Sequence, residues 1–247
     1  ARFVVNARRI PTSRTRVVYL GAPAEEFGRP RSSTDILAAR ATLGIREGTF
    51  AVGTVTRLMP SKGNEYLVEA IPTVLAAEPN THFYIVGEGE LRPVLEAQVR
   101  TLGVSDQVTF VGFMRDVSIA YAAFDLVVFP SLWEGTPLTA FEALAMGCPV
   151  VATDCDGLSD ILTNGVDALV VPRRNGGALA DAVLGLRRDP SARERLGVHA
   201  RHTGAAYDIG SFVRKMERLY ELMHELSRRT HREGVAKSDL SFLSSKV

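Results

Sequence analysis

The chain has 247 residues, 46% of them apolar and 23% charged, with a formal net charge of +1. This is the mix of a globular protein with ample core, and the near-neutral balance argues against nucleic acid as a partner. No apolar stretch is long enough for a membrane span, no secretory signal opens the chain, and Cys148 and Cys155 fit neither a zinc site nor a disulfide framework. A cytoplasmic protein is expected on those grounds, with contact at the inner membrane face as a further option. That option rests on a basic start, Arg2, Arg8, Arg9, Arg14, Arg16, Arg29 and Arg31, which reads first as a solvated arm and second as a surface for anionic lipid.

In chain order, Phe50 to Thr56 reads as a buried β-branched strand and Asn64 to Ala77 as a helix with Leu67, Val68, Ile71, Val74 and Leu75 on one face. Thr81 to Val86 predicts a strand, ended by Gly87-Glu88-Gly89. Leu91 to Leu102 predicts a helix, Gln107 to Val111 a strand, Asp116 to Ala123 a short helix and Asp125 to Phe129 a strand. The segment Leu138 to Met146 is a well-marked helix, with Thr136 suited to the N-cap, Pro137 to the first helical position and Gly147 to a left-handed stop. Strands follow at Pro149 to Thr153 and Ala168 to Val171. Helices follow near Ala178 to Arg187, Ser191 to Ala205 and Phe212 to Arg229. Alternating strands and helices with short connections imply an α/β fold, a parallel sheet covered by helices on both faces. The expected division is a basic arm over 1–35, a Rossmann-like domain over 36–207, a C-terminal helix over 208–232 and a flexible tail over 233–247.

In such folds ligands gather at the carboxyl ends of the strands. Arg57 and Lys62 follow the first strand there, beside Gly63. Two cations on a strand-end loop suit a diphosphate, although loop cations are common and each alone reads as surface. Glu134 precedes the helix at Leu138 and Glu142 lies inside it among apolar neighbours. A partly buried carboxylate needs donors, which sugar hydroxyls or a basic side chain can supply. Gly87 reads as a turn passing close to a ligand, Phe113 first as core and second as a surface for a base, and Trp133 as packing. The five histidines have no metal-ligand spacing.

These segments together resemble the C-terminal domain of glycosyltransferase family 4. They are Val52-Gly53 through Arg57-Leu58 and Lys62-Gly63; Ile85 to Gly89; Val108 to Phe113; and Pro130-Ser131 through Glu134-Gly135, Pro137, Glu142-Ala143, Gly147 and Pro149 to Thr153. The resemblance implies the C-terminal half of a GT-B fold and transfer of a sugar, with retention, from a nucleotide-diphosphate sugar to a sugar, lipid-linked or small-molecule acceptor. It implies that Arg57 and Lys62 hold the diphosphate, Glu142 the ribose, and Glu134 the transferred sugar. Gly87, Phe113, Met114, Gly135, Thr136, Pro137 and Leu138 would complete the donor site, Glu134, Arg57 and Lys62 would be catalytic, and no metal or other cofactor is expected. The family's acceptor-binding N-terminal domain could correspond only to residues 1–22, with Val17 to Leu20 as its last strand. A partner or further domain supplying that half is therefore expected, or else a module that binds nucleotide sugar without turnover. A glycosidase using Glu134 and Glu142 would leave the two cations without a role.

Overall fold

The computed structural model describes residues 17–233. Arg2 to Arg16 of the basic arm and the tail from residue 234 lie outside the described residues. Ala22–Ala206 form one compact unit, and the described residues 17–21 and 207–233 belong to another. The first unit therefore takes in residues 22–35, ahead of the boundary expected at 36. In the second unit, Val17 to Leu20 form no strand, contrary to expectation, and Tyr19 meets Tyr207 edge-on at 5.8 Å. That unit also holds the long helix Ile209–Glu233.

The compact unit begins with helices α1 (Ala24–Phe27) and α2 (Ser33–Thr42). Ser32 and Asp35 cap α2 reciprocally, each side chain accepting from the other's backbone N–H. Six strands follow: β1 (Phe50–Val55), β2 (Thr81–Val86), β3 (Val108–Gly112), β4 (Leu126–Phe129), β5 (Val150–Thr153) and β6 (Leu169–Val171). Between and after them run α3 (Asn64–Ala77), α4 (Arg92–Thr101), α5 (Ser118–Ala123), α6 (Leu138–Ala145), α7 (Gly176–Arg188) and α8 (Pro190–Ala206). All strand pairs are parallel, in the order β3-β2-β1-β4-β5-β6.

That order is set by handedness. Successive crossovers from β1 carry the chain outward through β2 to β3, and those from β4 carry it the opposite way. Right-handed crossovers running in opposite directions place their helices on opposite faces. Helix α3 accordingly packs with α4 and α7, while α6 packs with α1 and α8 and α2 packs with α5. The main core lies between the sheet and the first group: Val52, Leu67, Ile71, Val74, Ile85, Leu126, Leu179 and Val183 are almost wholly buried. The strand order reverses between β1 and β4, the switch point outside which ligands gather in folds of this kind.

At the opposite end of the sheet, Arg40 of α2 donates to the Thr49 and Ala123 carbonyls and to Asp125, whose carboxylate also accepts the Ala51 N–H. This ties α2 to the entry of β1 and β4. Gly53 in mid-β1 has a steric cause: a Cβ there would lie 2.1 Å from the Phe124 ring. Gly185 in α7 meets nothing within 4 Å. Gly53→Ala should therefore destabilise the fold by about 1–3 kcal/mol through overpacking, whereas Gly185→Ala should stabilise it by about 0.5–1 kcal/mol. Denaturant unfolding of the two variants checks the opposite signs.

Candidate functional site

The β1 and β4 loops are zipped together at the carboxyl rim of the sheet. After β1 the chain makes a short 3-10 turn, Pro60–Lys62, and Gly63 turns left-handed with φ 61°. A Cβ on Gly63 would meet the Pro130 carbonyl oxygen at 2.1 Å. The close approach that this glycine permits is thus between the two loops. Leu132 and Trp133 N–H groups both donate to the Ser61 carbonyl, at 2.8 and 3.3 Å. Glu134 N–H donates to Asp156, and Gly157 sits where any side chain would strike the Glu134 carbonyl.

Within this frame Lys62 and Glu134 meet. Lys62 Nζ lies 2.7 Å from both carboxylate oxygens of Glu134, and Ser131 Oγ donates to one of them at 2.7 Å. Glu134 is 8% exposed, so the loop acid is not solvated. Its charge is balanced where water is scarce, by one cation and one hydroxyl. Ser131 is held in turn through its carbonyl, which accepts from Thr153 Oγ1 of β5. From the far side, Arg173 donates to the Leu132 carbonyl and pairs with Asp154. Ser131 and Thr153 lie in the motif segments but have no expected role there, and Arg173 is not singled out by the sequence, because it meets Leu132 only through the sheet order.

Arg57 is on the same β1 loop and is exposed. Lys62 is already neutralised, so Arg57 is the more accessible of the two cations. Gly135 and Thr136 are exposed just before α6. The N-cap of α6 is Pro137, not Thr136, and no side chain caps the helix. The ring fixes Pro137 but leaves its carbonyl to accept from Ala140 and Phe141, while Leu138 N–H donates to Thr136. Gly147 ends the helix with φ 71°, as expected.

Gly87 passes close to protein rather than to open space: with φ 126°, its Cβ would fall 1.9 Å from the Thr56 carbonyl oxygen. The glycine lets the β2 loop fold onto the β1 loop. Phe113 is 77% exposed and Trp133 61%, so neither is core as first expected. Strand ends point these residues off the rim, where there is no second layer to cover them. Met114, beside Phe113, is half-buried.

Glu142 lies a turn into α6 and no hydrogen bond joins it to the Lys62–Glu134 pair. Its carboxyl Oε2 is 3.2 Å from the hydroxyl of buried Tyr121, on α5. Burial pushes its pKa up from 4.5 to about 7, with Glu26 adding repulsion and Tyr121 opposing the shift. Burial also pushes the Tyr121 hydroxyl well up. Tyr121, 21 residues upstream of Glu142, left no mark in the motif spacing. The two carboxyls thus differ in character, one ion-paired at the loop junction and the other, inside α6, with its pKa near 7. Among the described residues no group of three or more His, Cys, Asp or Glu could hold a metal ion.

Residues 49–189 match the family of glycosyl transferases group 1. The chain belongs to this family. It is 34% identical to the D-inositol 3-phosphate glycosyltransferase of Kribbella flavida, over 75% of this chain and 45% of that protein. It is also 34% identical to the alpha-D-kanosaminyltransferase of Streptomyces kanamyceticus, over 80% of this chain and 51% of that protein. The crystal structure of Anabaena HepE in complex with UDP and glucose is similar with a TM-score of 0.76 at 25% identity, over 84% of this chain and 56% of that one. The fold is the C-terminal domain of a GT-B glycosyltransferase, and the chain spans about half the length of the curated relatives it matches. No helix of the described residues is long and apolar enough to cross a membrane.

Two measurements follow from the two carboxyls. Lys62→Met should cost about 3–5 kcal/mol, because it strands a buried carboxylate, and adding Glu134→Gln should recover much of the loss; a double-mutant cycle by denaturation reads this. Glu142 binds its proton more tightly folded than unfolded, so its contribution falls as pH rises from about 4.5 to 7 and stays low above. Glu142→Gln should flatten the fall in Tm between those limits.

Proposed function

We propose that this chain is the donor-binding half of a retaining glycosyltransferase of family 4, which takes a sugar from a nucleotide-diphosphate sugar. The observation that carries the reading is the convergence, at the β1–β4 switch point, of Arg57, the Lys62–Glu134 pair and the loop leading into α6. Arg57 forks onto the diphosphate, and Lys62 turns its remaining N–H to it while keeping Glu134. These fixed cations stabilise charge on the departing diphosphate without a metal ion. Glu134 is presented to the sugar from the loop Gly135, Thr136, Pro137 and Leu138. Glu142 accepts from the ribose, and Phe113 and Met114 with Gly87 border the base. UDP is the first nucleotide to test, because it is bound in Anabaena HepE.

The acceptor meets the donor from an acceptor-binding half, in the same polypeptide or a partner; lipid-linked acceptors would place the work at the inner membrane face. A module that binds donor without transfer is the competing reading. Assays of sugar transfer and donor hydrolysis, with and without an acceptor domain, distinguish them.

Donor should raise Tm in a screen of UDP, GDP, ADP and their sugars, since binding to the native state stabilises it. Arg57 is exposed, so Arg57→Ala should fold normally yet lose about 1.5–3 kcal/mol of nucleotide affinity by calorimetry. Unchanged affinity would remove Arg57 from the diphosphate site.

A further inference from the structure

Tyr121 has one hydroxyl proton and two acceptors. Its oxygen lies 2.9 Å from the Thr139 carbonyl and 3.2 Å from Glu142 Oε2. The ring is 2% exposed, so bulk solvent does not reach it. If Glu142 is ionised, the proton can satisfy only one acceptor at a time. If Glu142 is neutral, every group is satisfied in sequence: Glu142 O–H donates to Tyr121, and Tyr121 O–H donates to Thr139. The Thr139 carbonyl lies within α6 and keeps its helical partner in either case. The hydroxyl can therefore turn to Glu142 at little cost.

We propose that Tyr121 is a positioning residue whose hydroxyl turns from Thr139 to Glu142 when donor binds, so that gripping the ribose diol releases one proton from Glu142 to solvent. The inference rests on the reading of Glu142 as the ribose contact. In the empty site, below the midpoint of its titration, Glu142 is a neutral acid. The diol brings two O–H donors, which favour the carboxylate, and the proton leaves to buffer as Tyr121 turns to become the third donor. No other bond is made or broken.

The surroundings support a neutral acid in the empty site. Burial is the main cause that raises the carboxyl to about 7. Glu26 faces it from α1 and adds repulsion, and Tyr121 faces it from α5. The thiol of Cys148, beyond the helix end, donates to the Tyr121 carbonyl and is itself pushed up to about 12 by burial. Two cations approach α6, but at its far end: Arg201 of α8 donates to the Ala145 and Met146 carbonyls, and Arg31 to the Met146 sulfur. Neither pairs with Glu142.

The test uses the whole chain and UDP-glucose, whose diphosphate diester does not titrate near neutrality. Carboxyl carbon NMR, with Glu142→Gln to assign the signal, should show Glu142 titrating near neutrality in the free protein and in the ordinary carboxylate range when saturated with UDP-glucose. Affinity should fall about tenfold per pH unit below the free-site midpoint, as linkage of one proton requires. Calorimetry in buffers of different ionisation enthalpy should count one proton released there, and none in Glu142→Gln. In Tyr121→Phe the ionised carboxylate loses its protein donor, so the midpoint should move to higher pH; a residue that only packed would lower Tm and leave the profile in place. Titration of free Glu142 with ordinary carboxylates, or an unmoved midpoint in Tyr121→Phe, overturns the proposal. If Glu142 titrates near neutrality but UDP-glucose binds without proton release and Glu142→Gln binds it unweakened, the ribose contact itself is wrong and the inference falls with it. If no UDP-glucose binds, the donor reading for this ligand fails, and so does the coupling.

Discussion

A carboxylate taken out of water must find a cation and enough donors, and this requirement organises the rim of the sheet. Glu134 is almost buried, so Lys62 and Ser131 have to reach it. For that the β1 and β4 loops must touch, and they do so through Ser61, Pro130 and the side-chain-free Gly63. The pair adds little net stability beyond what an apolar pair could give, because desolvation offsets much of the attraction. What it supplies is position. It fixes the loop that leads into α6 and neutralises Lys62, leaving Arg57 as the more accessible cation nearby.

The reversal of strand order between β1 and β4 makes this contact available. Adjacent parallel strands whose crossovers leave in opposite directions have no helix between their carboxyl ends. The loops there can meet each other. Glycines at the loop contacts follow from the same crowding: Gly87 lies against the Thr56 carbonyl, Gly89 against Leu58 and Gly157 against Glu134. They serve the fit of loop on loop, and a ligand lying over them meets backbone without intervening side chains.

Glu134 and Glu142 show how a helix and the loop before it can carry two acids of different character. Glu134, before the helix, is reached by a lysine. Glu142, a turn inside it, is reached among the described residues by a tyrosine hydroxyl, and burial raises its pKa to about 7. The first is ready-made as an anion and the second becomes one at the expense of a proton.

The strands and helices were legible because their causes are local: β-branched runs, an apolar helix face over Leu67 to Leu75, Gly147 after α6. Parallel pairing followed from the alternation. The short motifs around Arg57, Lys62, Glu134 and Glu142 were legible too, since they lie on strand-end loops and beside a helix start. Burial of individual rim residues was not, because composition cannot tell an apolar residue under a helix from one beyond the last layer; Phe113 and Trp133 were read as core and are exposed. Nor was the α6 cap, where a proline carbonyl replaced the expected threonine side chain. Above all, partners distant in the chain were invisible. Lys62 meets Glu134, and Tyr121 meets Glu142, only because strand order and helix packing bring separate segments together, and no spacing within either segment encodes that meeting.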